Sequence, residues 1–165
     1  MKMCPSTNKP SQDVVYTPAY LAKNIYDYFN PSGKMLEPCR GSGVFYNLMP
    51  PDADWCEIDE GVDFMDYEGK VDWIITNPPW SKVRQFYEKA FEIEAENVVF
   101  LMNINAVTTR ARLNLMWNNG YGIVKFLCFD NPKKDWPQSG FQLAAIHVKR
   151  NYTGQTEWVH FKETT

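Results

Sequence analysis

The apolar run Trp73-Ile74-Ile75-Thr76 ends on Asn77-Pro78-Pro79-Trp80, and that junction restricts the fold more tightly than any other in the chain. Two successive prolines hold φ near −65° and carry no backbone N–H, so a strand must stop there and no helix or tight turn can absorb the local carbonyls. Those carbonyls are left for a ligand. The Asn77 side-chain oxygen and the Pro78 carbonyl suit the two hydrogens of a planar NH₂ group, and the face of Trp80 suits the ring that carries it. The plainer alternative is a strand ending in a Pro-Pro turn with a core tryptophan. A glycine-rich loop upstream weighs against that alternative.

The loop is Met35-Leu36-Glu37-Pro38-Cys39-Arg40-Gly41-Ser42-Gly43: a short apolar stretch, an acid, a proline and two glycines ahead of a short helix. Glycine lets backbone approach a ligand without a Cβ in the way, and the helix start beyond it offers free N–H groups. Tyr46 stands where the third glycine of a dinucleotide fingerprint would be, which disfavours a pyrophosphate. Glu37 argues the same way, because a carboxylate at the mouth of the loop repels phosphate and suits an ammonium group. Two further acids follow at expected strand ends, in Glu57-Ile58-Asp59 and in Asp63-Phe64. An acid at the tip of the second strand of a doubly wound sheet hydrogen-bonds a ribose diol, which assigns the sugar to Glu57 and leaves Ile58 to pack on a base. Each acid alone reads as a solvated loop residue; their ordered placement points to one site.

Taken together, these residues resemble class I S-adenosylmethionine-dependent N6-adenine methyltransferases, and especially the small phage-type DNA adenine methylases. The likeness covers most of the chain. Tyr16-Thr17-Pro18 is similar to the family's motif at the methionine end of the cofactor, and Glu37, Pro38, Gly41 and Gly43 to its cofactor loop. Glu57 and Ile58 resemble its ribose-binding strand end, Asp63 and Phe64 its adenine clamp, and Asn77, Pro78, Pro79 and Trp80 its catalytic tetrapeptide, of which Asn77 also borders the cofactor. The chain departs from the family twice: Trp stands at the fourth tetrapeptide position where Tyr or Phe is commoner, and no target-recognition domain follows the catalytic unit. The resemblance implies methyl transfer from S-adenosyl-L-methionine to adenine N6 in DNA, on a base flipped into the Asn77–Trp80 pocket, with no metal and with nucleic acid as partner. RNA bases and a protein glutamine present the same planar amine and remain alternatives, as does a cofactor-binding subunit without turnover.

Length and composition agree with one catalytic domain over residues 1–165, since 44% hydrophobic and 15% aromatic content can fill a full core. A net charge of −3 excludes broad, charge-driven nucleic-acid binding, so any basic footprint must be local: Lys82 and Arg84, Arg110 and Arg112, or Lys133 and Lys134. The four cysteines form no Cys-x-x-Cys pair and the two histidines stand apart, which indicates neither a zinc site nor a disulfide framework. No run approaches the roughly 20 apolar residues of a membrane span, and the first residues lack a signal-peptide core, so a cytoplasmic protein is expected, in the host cytoplasm if it is phage-encoded. A dimer or a partner subunit is compatible with the sequence, which leaves the oligomeric state open.

The periodicities predict a doubly wound α/β sheet, Rossmann-like, seven-stranded and mostly parallel, with one antiparallel edge hairpin. Thr17 is expected to cap a helix starting at Pro18, with Leu21, Ala22, Ile25 and Phe29 on its buried face. A short helix is expected over 44–48, another from Ser81, a central strand at 98–102, a helix over 107–117, and an antiparallel pair at 123–129 and 142–148. A third strand is expected to end at Asp63. The resemblance suggests the strand order 3-2-1-4-5-7-6, with Glu37, Glu57, Asp63 and Asn77 at the carboxyl edge where ligands sit. The connection over 130–140 is long for a hairpin, and such loops are often functional.

Overall fold

A computed structural model describes residues 15–163; Cys4 and the start of the chain lie outside them. Helix α1 (Ala19–Phe29) precedes β1 (Met35–Glu37), β2 (Asp54–Trp55) and β3 (Trp73–Thr76); α2 (Val83–Glu92), β4 (Asn97–Asn103) and α3 (Arg110–Asn118) follow. The chain then runs through β5 (Tyr121–Phe129), β6 (Leu143–Arg150) and β7 (Glu157–His160). These strands form one seven-stranded sheet in the order β2-β1-β3-β4-β6-β5-β7. Only β6 opposes its neighbours, pairing antiparallel with β4 and β5, while the other pairs are parallel.

Alternation along the central strands builds two cores, one on each face. Ile74, Val98, Phe100, Met102, Ala144 and Ile146 point toward α2 and α3, joining Phe86, Tyr87, Ala90 and Met116. Ile75, Val99, Leu101 and Ala145 point the other way, onto Leu21, Ala22 and Ile25 of α1. Strands covered on both faces need no polar side, hence the unbroken apolar runs in β3 and β4. Each fully buried Ile or Leu contributes about 1.5–3 kcal/mol of transfer free energy.

Three local expectations are corrected. Helix α1 begins after Pro18, whose backbone caps it, and the Thr17 hydroxyl is engaged elsewhere. Ser81 falls inside a 3₁₀ turn over Trp80–Lys82, and α2 starts one turn later, at Val83. No third strand ends at Asp63 among the described residues: Val62 makes a single bridge to Glu57, and Phe64–Asp66 is a 3₁₀ turn capped by Asp63. The seventh strand is instead β7, at the opposite edge beside β5, so the antiparallel pair β5/β6 lies inside the sheet.

Candidate active site

The carboxyl ends of β1 and β3 meet the chain that enters α1. At that junction a shallow cleft is lined by Val15, Tyr16, Thr17, Glu37, Cys39, Arg40, Gly41, Ser42 and Asn77, among others. Gly41 and Gly43 both take positive φ, 54° and 86°, a region that side chains disfavour. A Cβ on Gly43 would also press on the Asn47 carboxamide at 3.3 Å, whereas one on Gly41 would rest in ordinary contact with the Tyr16 ring at 3.7 Å.

Glu37 is 1% exposed, and its Oε1 accepts from the Cys39 amide at 3.1 Å. Burial pushes its carboxyl up to about 8, with Glu57 adding to the rise and the Thr76 hydroxyl and Cys39 amide pulling the other way. The wall of the cleft therefore holds a carboxyl whose ionised form a neighbouring cation would favour. Arg40 is not that cation: its guanidinium lies 3.9 Å from the Trp55 ring centroid and pairs with Glu60. Glu57 ties the loop to the end of β2, accepting from Gly41 N at 2.7 Å and from Asp59 N at 3.2 Å. Ile58 beside it is 60% exposed.

Asp63 accepts from Met65 N at 2.9 Å. The ring of Phe64, by contrast, is 2% exposed and packs on Phe86, 5.2 Å between centroids, so only its backbone is left for a ligand.

Asn77 follows β3 and is held by three groups. Its Nδ2 donates to Val15 O at 3.0 Å and to Thr17 Oγ1 at 3.2 Å, and its Oδ1 accepts from Trp80 Nε1 at 3.1 Å. These partners fix the carboxamide's sense, because exchanging its ends would set oxygen against Val15 O and N–H against N–H. The same indole N–H lies 3.3 Å from Leu101 O. Pro78 is buried, Pro79 half-buried. The Cys39 thiol reaches Thr76 Oγ1 at 2.9 Å and Asn77 O at 3.3 Å, and burial pushes it well above the ordinary thiol range, followed by the nearby Glu37 charge.

Trp80 further meets Trp136 edge to face at 5.8 Å, which plants the 130–140 loop on the tetrapeptide. Sequence reasoning singled out that loop but missed Trp136, as well as Val15, Thr76 and Cys39. The one available signal for Trp136 was an aromatic in a long polar connection. Among the described residues, no group of three or more His, Cys, Asp or Glu is placed to hold a metal, and no helix is long and apolar enough to cross a membrane.

No family model and no curated protein matches the chain. Solved structures do. A proposed RNA methyltransferase from Pyrococcus horikoshii is 18% identical, with a TM-score of 0.64 over 91% of each chain. The modification subunit of a proposed type I restriction enzyme from Vibrio vulnificus is 10% identical, with a TM-score of 0.58 over 92% of this chain and 48% of that one. TYW2 from M. jannaschii, solved in complex with AdoMet, is 16% identical, with a TM-score of 0.52 over 83% of this chain and 78% of that one. At these identities the likeness establishes the fold, that of the class I methyltransferases.

Proposed function

We propose that this chain transfers a methyl group from S-adenosyl-L-methionine to the exocyclic N6 amine of adenine in DNA, as a single catalytic domain. The observation that carries the reading is the Asn77 carboxamide, locked by Val15, Thr17 and Trp80 at the rim of a cleft that also contains Glu37. One lone pair of Oδ1 receives the Trp80 indole and the other remains for an amine hydrogen, with the Pro78 carbonyl as the second acceptor. Accepting both hydrogens favours a pyramidal N6, aims its lone pair away from the ring and stabilises the positive charge that develops there. The surplus proton leaves to water.

The cleft fits the cofactor on its own chemistry. Glu37 is a buried carboxyl that pairs with no cation among the described residues, and an α-ammonium group would supply one. Gly41 keeps the loop clear of side chains, Tyr16 and Thr17 close the methionine end, Glu57 faces a ribose diol, and Ile58, Asp63 and the Phe64 backbone surround an adenine. When bound, S-adenosylmethionine supplies an electrophilic methyl on a sulfonium centre. The likeness to an AdoMet-bound structure and to a restriction-enzyme modification subunit supports the reading. A duplex base must be flipped out to reach Asn77, at roughly a few kcal/mol, offset in part by stacking on Trp80. An adenine in RNA presents the same amine, and RNA is the substrate class named for the archaeal neighbour.

The test is transfer of label from S-adenosylmethionine to duplex DNA, single-stranded DNA, RNA and a glutamine-bearing release factor, followed by digestion and identification of the product. N6-methyladenine from DNA is expected, with Asn77→Ala lowering kcat about 10²–10³-fold, the scale of one preorganised polar group. An Asn77→Ala variant that turns over at the wild-type rate would end the methyltransferase reading.

A further inference from the structure

A hollow of about 220 Å³ opens where β5 ends and β6 begins, bounded by Phe129, Asp130, Asn131, Gly140, Phe141 and Gln142. It shares the sheet edge with Asn77. Phe129 pairs with Leu143, and Leu143 with Asn103 at the end of β4, so at ~4.8 Å per strand the hollow stands roughly 10–15 Å along the edge from the end of β3. The loop that walls it also carries Trp136 onto Trp80.

Its hydrogen-bonding chemistry is one-sided. Asn131 Nδ2 donates to Ser139 O at 3.2 Å, and Gln142 Nε2 donates to Phe129 O and Leu143 O at 2.9 Å each. Backbone carbonyls thus consume the side-chain donors and fix both carboxamides, since a flipped amide would set oxygen against oxygen. Acceptors are what remain. Among the described residues, Gln142 Oε1 accepts no hydrogen bond and the exposed Asp130 carboxylate makes neither ion pair nor hydrogen bond, while Asn131 Oδ1, also without a partner among them, lies beneath the surface. Phe141 stands 54% exposed beside them, and the space a Cβ would take at Gly140 is open. A free carboxylate and an amide oxygen repel a phosphate; together with the exposed Phe141 ring beside them they favour a planar ring that presents N–H donors.

We propose that this hollow is a second base subsite, which holds a nucleotide flanking the methylated adenine and reads its exocyclic amine. The proposal rests on the nucleic-acid methyltransferase reading and adds to it a source of sequence preference within the domain. Asp130 accepts from the amine, as carboxylates do from cytosine N4, and Phe141 stacks on the ring. Lys133 and Lys134, exposed on the same loop, are left for the phosphates.

The experiment is fluorescence anisotropy of the full chain with single-stranded oligonucleotides holding one adenine, whose flanking positions are varied between cytosine and uracil and between guanine and hypoxanthine. At one flank, the amine-bearing base should bind about tenfold tighter than its partner lacking the amine. Asp130→Asn should bring the cytosine-to-uracil ratio close to one, because an amide can serve the uracil carbonyl as well as the cytosine amine, and should lower the guanine-to-hypoxanthine ratio, because a neutral acceptor is weaker than a carboxylate. Phe141→Ala should weaken both members of the pair and leave the ratio unchanged. Equal affinity at every flank, no binding at all, or discrimination that is undiminished in Asp130→Asn would overturn the subsite. Methyl transfer to the same oligonucleotides is scored separately: discrimination without transfer removes the methyltransferase reading and keeps the subsite, and transfer without discrimination does the reverse.

Discussion

The proposed function gives Trp80 two tasks, because its ring would stack on the target base while its N–H donates to Asn77 Oδ1 at 3.1 Å. A phenylalanine keeps a flat face and loses the donor. Trp80→Phe should therefore hold the KM for nucleic acid near wild type and lower kcat about tenfold, whereas Trp80→Ala should also raise KM, stacking being worth roughly 1–3 kcal/mol per base. Steady-state kinetics of the two variants separate the tasks, and full rescue of kcat by Phe would mean that the indole N–H plays no part. Glu37 makes a pH prediction. Its folded value of about 8 lies above the ordinary 4.5, so the ligand-free fold holds a proton that the unfolded chain releases, and its contribution to stability falls as pH rises from about 4.5 to 8. Pairing with an ammonium group needs the carboxylate. Affinity for S-adenosylmethionine should thus rise with pH, by at most about tenfold per unit, and level off above about 8, with proton release seen by calorimetry in two buffers of different ionisation heat. Glu37→Gln should remove that component, and an identical pH profile in the variant would remove Glu37 from the ammonium site.

At the scale of elements, β6 carries a group that sets acid tolerance. His147 is 9% exposed, stacks on Trp73 at 5.2 Å, meets Phe29 edge to face, and shares a 2.9 Å hydrogen bond with Asn97 Oδ1 on β4. Burial holds its imidazole down at about 4, helped by Lys149 and Lys125. The unfolded chain takes up that proton near 6.5 and the fold does not. Stability should therefore drop as pH falls from about 6.5 to 4, by up to ~3 kcal/mol from this residue. Urea midpoints at pH 4.5 and 7 should differ less for His147→Gln than for wild type, and an equal difference would show that β6 tolerates the charge. The same strand, inserted between β4 and β5, explains why Leu143–Arg150 is buried along most of its length although it follows a long polar loop.

Across the whole molecule, charge is divided along the carboxyl edge. Glu57, Asp59, Glu60, Asp63 and Asp66 cluster past β2, while Lys82, Arg110, Lys133 and Lys134 follow the ends of β3, β4 and β5 and are exposed. A chain of net charge −3 can hold a polyanion only through such a local patch. Replacing Lys133 and Lys134 with Ala should weaken duplex binding and make the slope of log K against log salt shallower by about 2, since each lost phosphate contact removes about 0.9. Anisotropy titrations at several salt concentrations measure the slope, and an unchanged value would place the nucleic acid elsewhere.

Residue order alone determined the strands that end at Glu37 and just before Asn77, the helices that cover them and the doubly wound class, because alternation, apolar runs and proline breaks act within a few residues. It also placed Glu37, Gly41 and Asn77 at one edge, since parallel strands joined by helices bring their carboxyl ends together. Tertiary structure decided the rest. Which edge the last strand joins depends on what covers β5, and four residues over 157–160 carry too little pattern to say so. The ring of Phe64 faces the core because Phe86 of α2 waits there, and Trp136 closes on Trp80 across more than fifty residues of chain. The raised carboxyl of Glu37 is the extreme case. The rise comes from burial, with Glu57 adding to it, and neither is written in the residues beside it.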